Sequence, residues 1–180
     1  MNLLQNLKNW LQKQVATMPA ISAADLLAAT SDEDYVYVLV EAYEHLASPD
    51  MPLARLDSFT DEAAVLLLFS TLKGQVENGG FIQLIHNGYG PALFDSPFAR
   101  DIARWGAAQL AELMEQVKNI YTANKVYLER PRDIPEFSAL YKEFRAFEPL
   151  ESHFYEIIAS QTAIVRAYVE QHLTQFASIT

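Results

Sequence analysis

The sequence contains no cysteine. Disulfide bonds, thiolate metal sites and cysteine nucleophiles are therefore excluded, and the absence fits a reducing compartment. Long apolar runs are also missing, because the longest, residues 63–69, is far shorter than the roughly 20 residues of a membrane-spanning helix. The first residues place Lys8 and Lys13 among Gln and Asn, without the apolar run and cleavage site of a signal peptide. We predict a cytoplasmic protein that does not bind membranes.

Basic residues are scarce relative to acidic ones. The 180 residues include 13 Lys and Arg against 23 Asp and Glu, so the formal net charge is −10 at pH 7. A surface of this sign repels nucleic acid and anionic lipid, which disfavours direct binding to either. A basic protein partner is favoured instead. The alternative is that the acidity serves only solubility.

Helical periodicity of apolar residues runs through most of the chain and predicts an all-α fold. Helices are expected over residues 2–17 and 22–29, and again after Ser31, whose hydroxyl can cap the next helix. Residues 35–40 are β-branched and aromatic, as in a strand, but the cap before them and the helical period after them favour a helix. We predict a single domain, residues 1–180, built as a bundle of seven to nine helices.

The centre of this bundle is expected to be a helix over about residues 60–77. Thr60 can cap it, and the residues that follow are apolar on nearly every side, so the helix should be buried nearly all round. It leads into residues 77–90, which we call the glycine hinge because this segment holds four of the six glycines. Glycine suits sharp turns and close backbone approach, so the hinge should organise the fold.

The residues after the glycine hinge predict further helices. Residues 96–97, a serine and a proline, mark the start of a helix that reaches Leu128. Gly106 lies on its apolar stripe, where another element could approach closely. The next helix contains residues 137–144, and the last spans about residues 150–176.

Motifs for catalysis and metal binding are missing. A di-metal site in a helical bundle needs Glu-x-x-His pairs, and none of the four histidines has a glutamate three residues before it. The zinc-protease motif and the phosphate-binding glycine motifs are absent too. Glu41 and His45 lie four residues apart and are interpreted as a surface hydrogen-bonded pair, since two ligands do not complete a metal site. We predict no catalytic residue, no metal and no cofactor.

Polar residues inside the glycine hinge admit two interpretations. In the favoured one, His86 ties the hinge to a backbone carbonyl, and the amides of Asn78, Gln83 and Asn87 satisfy backbone groups at helix ends. In the alternative, the same four side chains line a cleft that binds a small molecule or carries out catalysis.

Rows of carboxylates form the other candidate site. Asp34, Glu41 and Glu44 share one face of a predicted helix. Carboxylates one turn apart are spaced ~5–6 Å along a helix. Phosphates advance ~3.4 Å per strand along B-DNA, so such rows can present a coarse copy of a phosphate backbone.

The predicted partner-binding residues combine these carboxylates with others at two helix starts. Tyr37 joins them, because it lies off the apolar stripe and can anchor an interface. The complete set is Asp32, Glu33, Asp34, Tyr37, Glu41, Glu44, Asp57, Asp61 and Glu62. A second row, Asp101, Glu112 and Glu115, tracks one face of the helix after the hinge and has Arg104 among its members.

The glycine hinge also carries a family signature. It consists of Asn78, Gly79, Gly80, Phe81, Gln83, Asn87 and Gly90. This pattern resembles the Asn-Gly-Gly-Phe-x-Gln…Asn…Gly signature of the bacterial DMP19-like family, a C-terminal domain of unknown function found in a DNA-mimic protein and its relatives, over about residues 60–125. The resemblance implies an all-α fold in which the glycines allow close packing and the amides serve helix ends.

The resemblance further implies a function. The family's named member is acidic and occupies a DNA-binding transcription factor in place of DNA. We therefore expect a non-enzymatic acidic interaction protein that binds a basic DNA-binding protein or transcription regulator. Two alternatives stay open: a small-molecule-binding protein or enzyme that uses the hinge cleft around His86, and an acidic scaffold or homodimer. The sequence does not decide between monomer and homodimer.

Overall fold

The computed structural model describes residues 18–46, 56 and 58–180. Within these ranges the chain forms eight α-helices, two 3-10 helices and two short strands. The α-helices are α1 (Ala23–Ala28), α2 (Asp32–Leu46), α3 (Asp61–His86), α4 (Gly90–Phe94), α5 (Phe98–Arg104), α6 (Ala108–Leu128), α7 (Ile134–Glu143) and α8 (Glu148–Gln171). The predicted all-α fold is confirmed, whereas the helix predicted over residues 2–17 lies outside the described residues.

The chain divides into two compact units. Unit 1 comprises Met1–Leu67 and Arg166–Thr180, and unit 2 comprises Leu68–Val165. The boundaries fall inside α3 and α8, so each of these helices contributes residues to both units. This division does not test the single domain expected over residues 1–180, which stays a prediction.

In unit 1, α2 begins with the serine cap that the sequence predicted. The Asp34 amide donates to Ser31 Oγ at 3.0 Å. Residues 35–40 are helical, as predicted, although their composition is typical of a strand. Packing decides the conformation here, because the buried residues of α2 recur at helical spacing. They are Tyr35, Val36, Leu39, Val40 and Tyr43.

Two short parallel strands pair in unit 1. β1 (Ala20–Ile21) lies beside β2 (Ser178–Ile179). The Ser178 amide donates to the Pro19 carbonyl at 2.9 Å. The sequence predicted no strand here, because two residues are too few to show the alternation of apolar and polar side chains that marks one.

Tyr43 joins α2 to the C-terminal segment of unit 1. Its hydroxyl donates to the Phe176 carbonyl at 2.6 Å, and its ring meets Phe59 edge to face with 5.0 Å between centroids. All three side chains are buried. Burial is the main cause that raises the pKa of Tyr43 to about 12, a hydrogen bond with Thr60 opposes it, and the Glu62 carboxylate adds to it. The hydroxyl is therefore neutral, and available as a donor, at physiological pH.

The central helix, α3, also begins as predicted. The Ala63 amide donates to Thr60 Oγ1 at 3.1 Å. Residues 65–69 are all buried, in agreement with a helix that is apolar nearly all round. In the described part of the chain, α3 and the other helices are all too short or too polar to cross a membrane.

The predicted continuous helix from residue 97 to Leu128 is wrong. α5 ends at Arg104 and α6 begins at Ala108, because Gly106 between them has a φ of +98°. This left-handed conformation is natural for glycine and interrupts a right-handed helix. A Cβ added to Gly106 would lie 3.4 Å from Ile164 Cγ2, so the predicted close neighbour is present, but the backbone conformation decides the local structure.

The last predicted helix is also displaced at both ends. α8 begins at Glu148 and ends at Gln171, whereas the pattern predicted about residues 150–176. A 3-10 helix, Arg145–Phe147, precedes α8, and a second, Leu173–Gln175, follows it. The tighter second turn carries the chain to Phe176, whose carbonyl receives the Tyr43 hydroxyl.

Candidate functional site

The glycine hinge interrupts α3 at Gly79 and Gly80. Gly80 has a φ of 74° and a ψ of −175°, a region that is essentially restricted to glycine. A Cβ added to Gly80 would lie 2.1 Å from Glu151 Oε1. The backbone thus takes a conformation that only glycine adopts, at a place where no side chain would fit.

Side chains from α7 and α8 satisfy the backbone groups that this break exposes. Glu151 Oε1 accepts a hydrogen bond from the Phe81 amide at 2.9 Å. The Tyr141 hydroxyl donates to the Gly79 carbonyl at 2.8 Å, and the Tyr155 hydroxyl donates to the Val76 carbonyl at 3.1 Å. These three contacts replace bonds that a continuous helix would make internally.

Glu151 is the titratable group of the hinge. Burial, the largest influence, raises its pKa, while the hydrogen bond from the Phe81 amide acts in the opposite direction and the Glu148 carboxylate adds to the rise. Half-buried carboxylates of this kind are found in active sites as well as in structural networks. Here the carboxylate is engaged with the backbone, which accounts for its position without a substrate.

Other signature residues pack the hinge. Phe81 is fully buried, with ring centroids 6.1 Å from Phe147 and 6.2 Å from Phe154. A Cβ added to Gly90 would lie 2.7 Å from Cε2 of Tyr121, so the backbone of α4 rests directly on that ring. These positions account for two residue types of the signature by packing alone.

A glycine cap and a buried histidine mark the end of α3. The Gly88 amide donates to the Ile85 carbonyl at 3.0 Å and the Tyr89 amide to the Leu84 carbonyl at 3.2 Å, the pattern of a Schellman cap with Gly88 at a φ of 86°. His86 Nδ1 is buried and has no hydrogen-bond partner in the described part of the chain. The predicted bond from His86 to a backbone carbonyl is therefore not made through this atom.

The contacts of His86 and Asn87 described here are with other side chains. The imidazole of His86 lies against the Phe137 ring, with 4.5 Å between centroids. The Asn87 side-chain amide donates to Gln75 Oε1 at 2.8 Å, rather than to helix-end backbone. These contacts do not favour the alternative of a catalytic or ligand-binding cleft at the hinge, which stays a prediction.

A groove of about 490 Å³ in unit 1 brings three predicted partner-binding residues together. Asp34, Tyr37 and Glu41 line it from α2, where a spacing of three and four residues places them on one face. Asp25 lines it from α1, and His45 lies at the end of the same face of α2. We call these five residues the acidic groove. Asp25 was not predicted as part of a site, because its position opposite α2 depends on tertiary packing.

Local hydrogen bonds keep one wall of the acidic groove charged. The Thr30 hydroxyl donates to Asp34 Oδ2 at 2.6 Å. Hydrogen bonds from Thr30 and then Ser31 are the main causes that lower the pKa of Asp34. Tyr37 stands beside it with 53% of its side chain exposed. The acidic groove therefore offers three carboxyl side chains, of which Asp34 is held in its ionised form, and an accessible aromatic ring.

The structure does not gather the whole predicted set at this groove. Asp32 lines a different groove and its Oδ1 lies 3.9 Å from Nε of Arg166. Glu62 lies near the hydroxyl of Tyr43. The side chain of Tyr43 leaves α2 on the side opposite Glu41, so Glu62 is not on the face of the acidic groove. Glu33, Glu44 and Asp61 are exposed, and Asp57 lies outside the described residues.

The second predicted row of carboxylates is interrupted. Asp101 Oδ1 lies 2.9 Å from Arg100 Nη2 and 3.7 Å from Arg104 Nη1, so two guanidinium groups offset its charge. The break at Gly106 separates it from Glu112 and Glu115, which are exposed on α6. These residues therefore do not continue one helix face.

Charge is divided unevenly between the units. The described residues of unit 1 contain nine carboxylates and one Lys or Arg, Arg166, whereas unit 2 contains twelve carboxylates and nine Lys or Arg. The nine carboxylates are Asp25, Asp32, Glu33, Asp34, Glu41, Glu44, Asp61, Glu62 and Glu170. In these described ranges, no three His, Asp or Glu side chains are placed to hold a metal ion. Over the full sequence, unit 1 carries eleven carboxylates and four Lys or Arg, so its formal charge is −7 against −3 for unit 2.

Comparison with known proteins agrees with the signature in the hinge. The family described as DMP19-like protein matches residues 57–172. The chain belongs to the DMP19-like family. This DMP19-like match extends well beyond the segment of about residues 60–125 that carried the resemblance, and it includes the whole of α7 and α8.

One relative is similar over nearly the whole chain. This protein, the DNA mimic protein DMP19 of Neisseria meningitidis serogroup B (strain ATCC BAA-335 / MC58), is 28% identical over 164 residues. The alignment covers 90% of the present DMP19-like chain and 98% of the relative. The likeness therefore includes the described regions on both sides of the glycine hinge.

Proposed function

We propose that this DMP19-like protein is a non-enzymatic interaction protein that binds a basic DNA-binding protein in place of DNA. The observation that carries the proposal is the concentration of negative charge in unit 1, where eleven carboxylates face four Lys or Arg, against twelve and nine in unit 2. The name of its relative, a DNA mimic protein, supports the same role. An acidic scaffold would need no such concentration, so the uneven charge supports mimicry over that alternative.

The geometry of the acidic groove suits a surface that normally contacts phosphates. Asp34 and Glu41 lie seven residues apart on α2, which places them roughly 10 Å apart along the helix axis. Phosphates along one strand of B-DNA advance ~3.4 Å each, so this pair matches every third phosphate. Asp25 faces them from α1 across the groove. Carboxylates on two walls can therefore meet Lys or Arg side chains that would otherwise contact DNA.

Tyr37 adds a contact that charge alone does not provide. Its ring is half exposed between Asp34 and Glu41 on the same face. A guanidinium group that stacks on an aromatic ring gains a cation–π interaction, and the carboxylates beside the ring can hold its N–H groups. An arginine of the partner is the side chain that this arrangement fits best.

The test is capture from a lysate of the source cell on the immobilised protein, with mass spectrometry of the retained proteins. We expect a basic DNA-binding protein that is retained at low salt, is released at high salt and is displaced by duplex DNA. The double variant Asp25→Asn/Glu41→Gln should retain less of it. The matched control is Glu112→Gln/Glu115→Gln, which removes equal charge from the exposed face of α6 in unit 2.

The outcomes separate a defined site from general acidity. Equal loss in both double variants would show that net charge, and not the acidic groove, retains the partner. A retained protein that duplex DNA does not displace would contradict mimicry, because the two would then bind different surfaces of the partner.

A further inference from the structure

A second groove, of about 700 Å³, lies in unit 1 and is lined by both apolar and polar side chains. Leu26 and Leu27 of α1 line it together with Leu173 and Ile179 from the C-terminal segment. We call this groove, with its polar rim, the leucine groove. Leu27 is 86% exposed and Ile179 is 41% exposed, so this apolar surface meets water in the free protein. Exposed apolar surface in a concave site is typical of a place where a partner binds.

The polar rim of the leucine groove selects against an anionic occupant. Arg166, the one Lys or Arg among the described residues of unit 1, lies at the rim with its guanidinium carbon 4.8 Å from the centre of the Tyr35 ring. Its Nη1 lies 3.0 Å from Glu170 Oε2, and its Nε lies 3.9 Å from Asp32 Oδ1. A carboxylate or phosphate ligand would have to compete with both acidic side chains for this single cation.

The charge of the rim favours a cationic occupant. Asp32 and Glu170 line the same groove as Leu27 and Ile179 and share the single guanidinium of Arg166, so the rim keeps one net negative charge that Lys or Arg beside an apolar side chain would meet. The remaining carboxylates of unit 1 add long-range attraction for positive charge.

The two grooves of unit 1 are neighbours across one helix. α1 and α2 both contribute lining residues to each: Leu27 and Asp32 to the leucine groove, Asp25 and Glu41 to the acidic groove. A partner surface that spans α1 can therefore contact both at once. Charge pairs would then supply attraction that falls with salt, and the leucine groove would supply attraction that does not.

We propose that the leucine groove receives an apolar side chain from a cationic segment of the partner, with Lys or Arg beside it facing Asp32 and Glu170. This inference rests on the proposed function, because it describes a second contact of the same basic partner. Leu27 is the principal contact, since most of its side chain is free to be covered.

Two short synthetic peptides with equal numbers of lysines test this inference. One carries leucines between the lysines, and the other carries serines at the same positions. Binding of each to the full chain is followed by fluorescence anisotropy over a range of salt concentrations. We expect the leucine peptide to bind about fivefold more tightly, with the ratio maintained at high salt because burial of apolar surface is not screened.

Leu27→Ser should bring the affinities of the two peptides close to each other. It should leave the salt dependence of both affinities unchanged. Val126→Ser is the matched control, because Val126 is 89% exposed and lies in unit 2. The inference is overturned if the two peptides bind equally, or if Leu27→Ser behaves as Val126→Ser does. It is also overturned if Leu27→Ser converts a dimer to a monomer in sedimentation experiments, since a second copy would then cover the groove.

The same titration distinguishes this inference from the proposed function. Failure of both peptides to bind at low salt would count against docking of a cationic partner altogether. Equal binding of both peptides, weakened by Asp25→Asn/Glu41→Gln, would leave the acidic groove in place and remove only the apolar contact.

Discussion

A Cβ atom on Gly80 would lie 2.1 Å from Oε1 of Glu151, so the hinge and α8 fit together only because residue 80 has no side chain. The φ of 74° at Gly80 adds backbone strain for any other residue. Gly80→Ala should therefore lower the free energy of unfolding by about 3 kcal/mol, measured by urea denaturation.

Gly74 provides the control for this substitution. It lies inside α3, and a Cβ there would meet nothing within 4 Å. Gly74→Ala should raise the free energy of unfolding by roughly 0.5–1 kcal/mol, because alanine loses less conformational entropy in a helix. Adding Glu151→Ala to Gly80→Ala should recover only part of the loss, since the backbone strain remains. A Gly80→Ala protein as stable as the parent would show that the hinge can take another conformation.

The carboxyl group of Glu151 should make stability depend on pH. Burial raises its pKa in the folded state above the ordinary value of 4.5, so the folded protein binds this proton more tightly than the unfolded chain does. The contribution to the free energy of unfolding therefore increases as pH falls through the folded-state pKa, and it is lost again as pH rises.

Glu151→Gln isolates this contribution, because glutamine can still accept a hydrogen bond from the Phe81 amide. Urea denaturation at several pH values should show the parent gaining stability relative to Glu151→Gln between neutral pH and about pH 4.5. Glu112→Gln, at an exposed position of α6, is the control for the loss of one carboxylate. A constant difference between parent and Glu151→Gln across this range would mean that the carboxyl group titrates alike in both states.

The Tyr43 hydroxyl should stabilise unit 1 through its bond to the Phe176 carbonyl. Tyr43→Phe leaves that buried carbonyl without this donor, which should lower the free energy of unfolding by about 1–3 kcal/mol. Because the folded-state pKa is raised to about 12 from an ordinary value of 10.0, the unfolded chain ionises first, and the contribution declines as pH rises between these values.

Urea denaturation near neutral pH and again at alkaline pH measures both effects. The difference between parent and Tyr43→Phe should shrink on the alkaline side. Tyr37→Phe serves as the control, because 53% of Tyr37 is exposed and the loss of its hydroxyl should leave stability unchanged. A Tyr43→Phe protein of parental stability at neutral pH would show that water or another donor satisfies the carbonyl.

Helices could be predicted where local chemistry and period agree. The hydroxyls of Ser31 and Thr60 cap α2 and α3 as expected, since capping depends on residues only a few positions apart. Gly106 shows the limit of this reasoning. A glycine on an apolar stripe can allow a close contact inside a continuous helix, or it can adopt a left-handed conformation that ends the helix. Only the observed φ of Gly106 distinguishes these two cases.

The candidate site was partly predictable for the same reason. Asp34, Tyr37 and Glu41 share a face because they belong to one helix, and the helical period fixes their relation. Asp25 joins them through the packing of α1 on α2, which no local pattern encodes. The leucine groove needs residues from opposite ends of the chain, Leu27 and Ile179, so it becomes visible only in the folded unit.

Tyr37 allows the acidic groove to be tested without removing any charge. Tyr37→Ala should change the free energy of unfolding by less than about 0.5 kcal/mol, because the side chain is largely at the surface. It should weaken binding of the DNA-displaceable partner about tenfold if the ring anchors the interface. Tyr37→Phe keeps the ring and should bind nearly as the parent does, since stacking with a guanidinium group does not need the hydroxyl.

Isothermal titration with the captured partner, at matched salt, gives the three affinities. If Tyr37→Phe binds as weakly as Tyr37→Ala, the hydroxyl and not the ring makes the contact, and an arginine stacked between Asp34 and Glu41 is the wrong picture. If Tyr37→Ala binds as the parent does while Asp25→Asn/Glu41→Gln does not, the carboxylates act without an aromatic anchor. The protein would then imitate only the charge of DNA, and its choice among basic partners would have to come from elsewhere, with Leu27 and Ile179 as the nearest candidates.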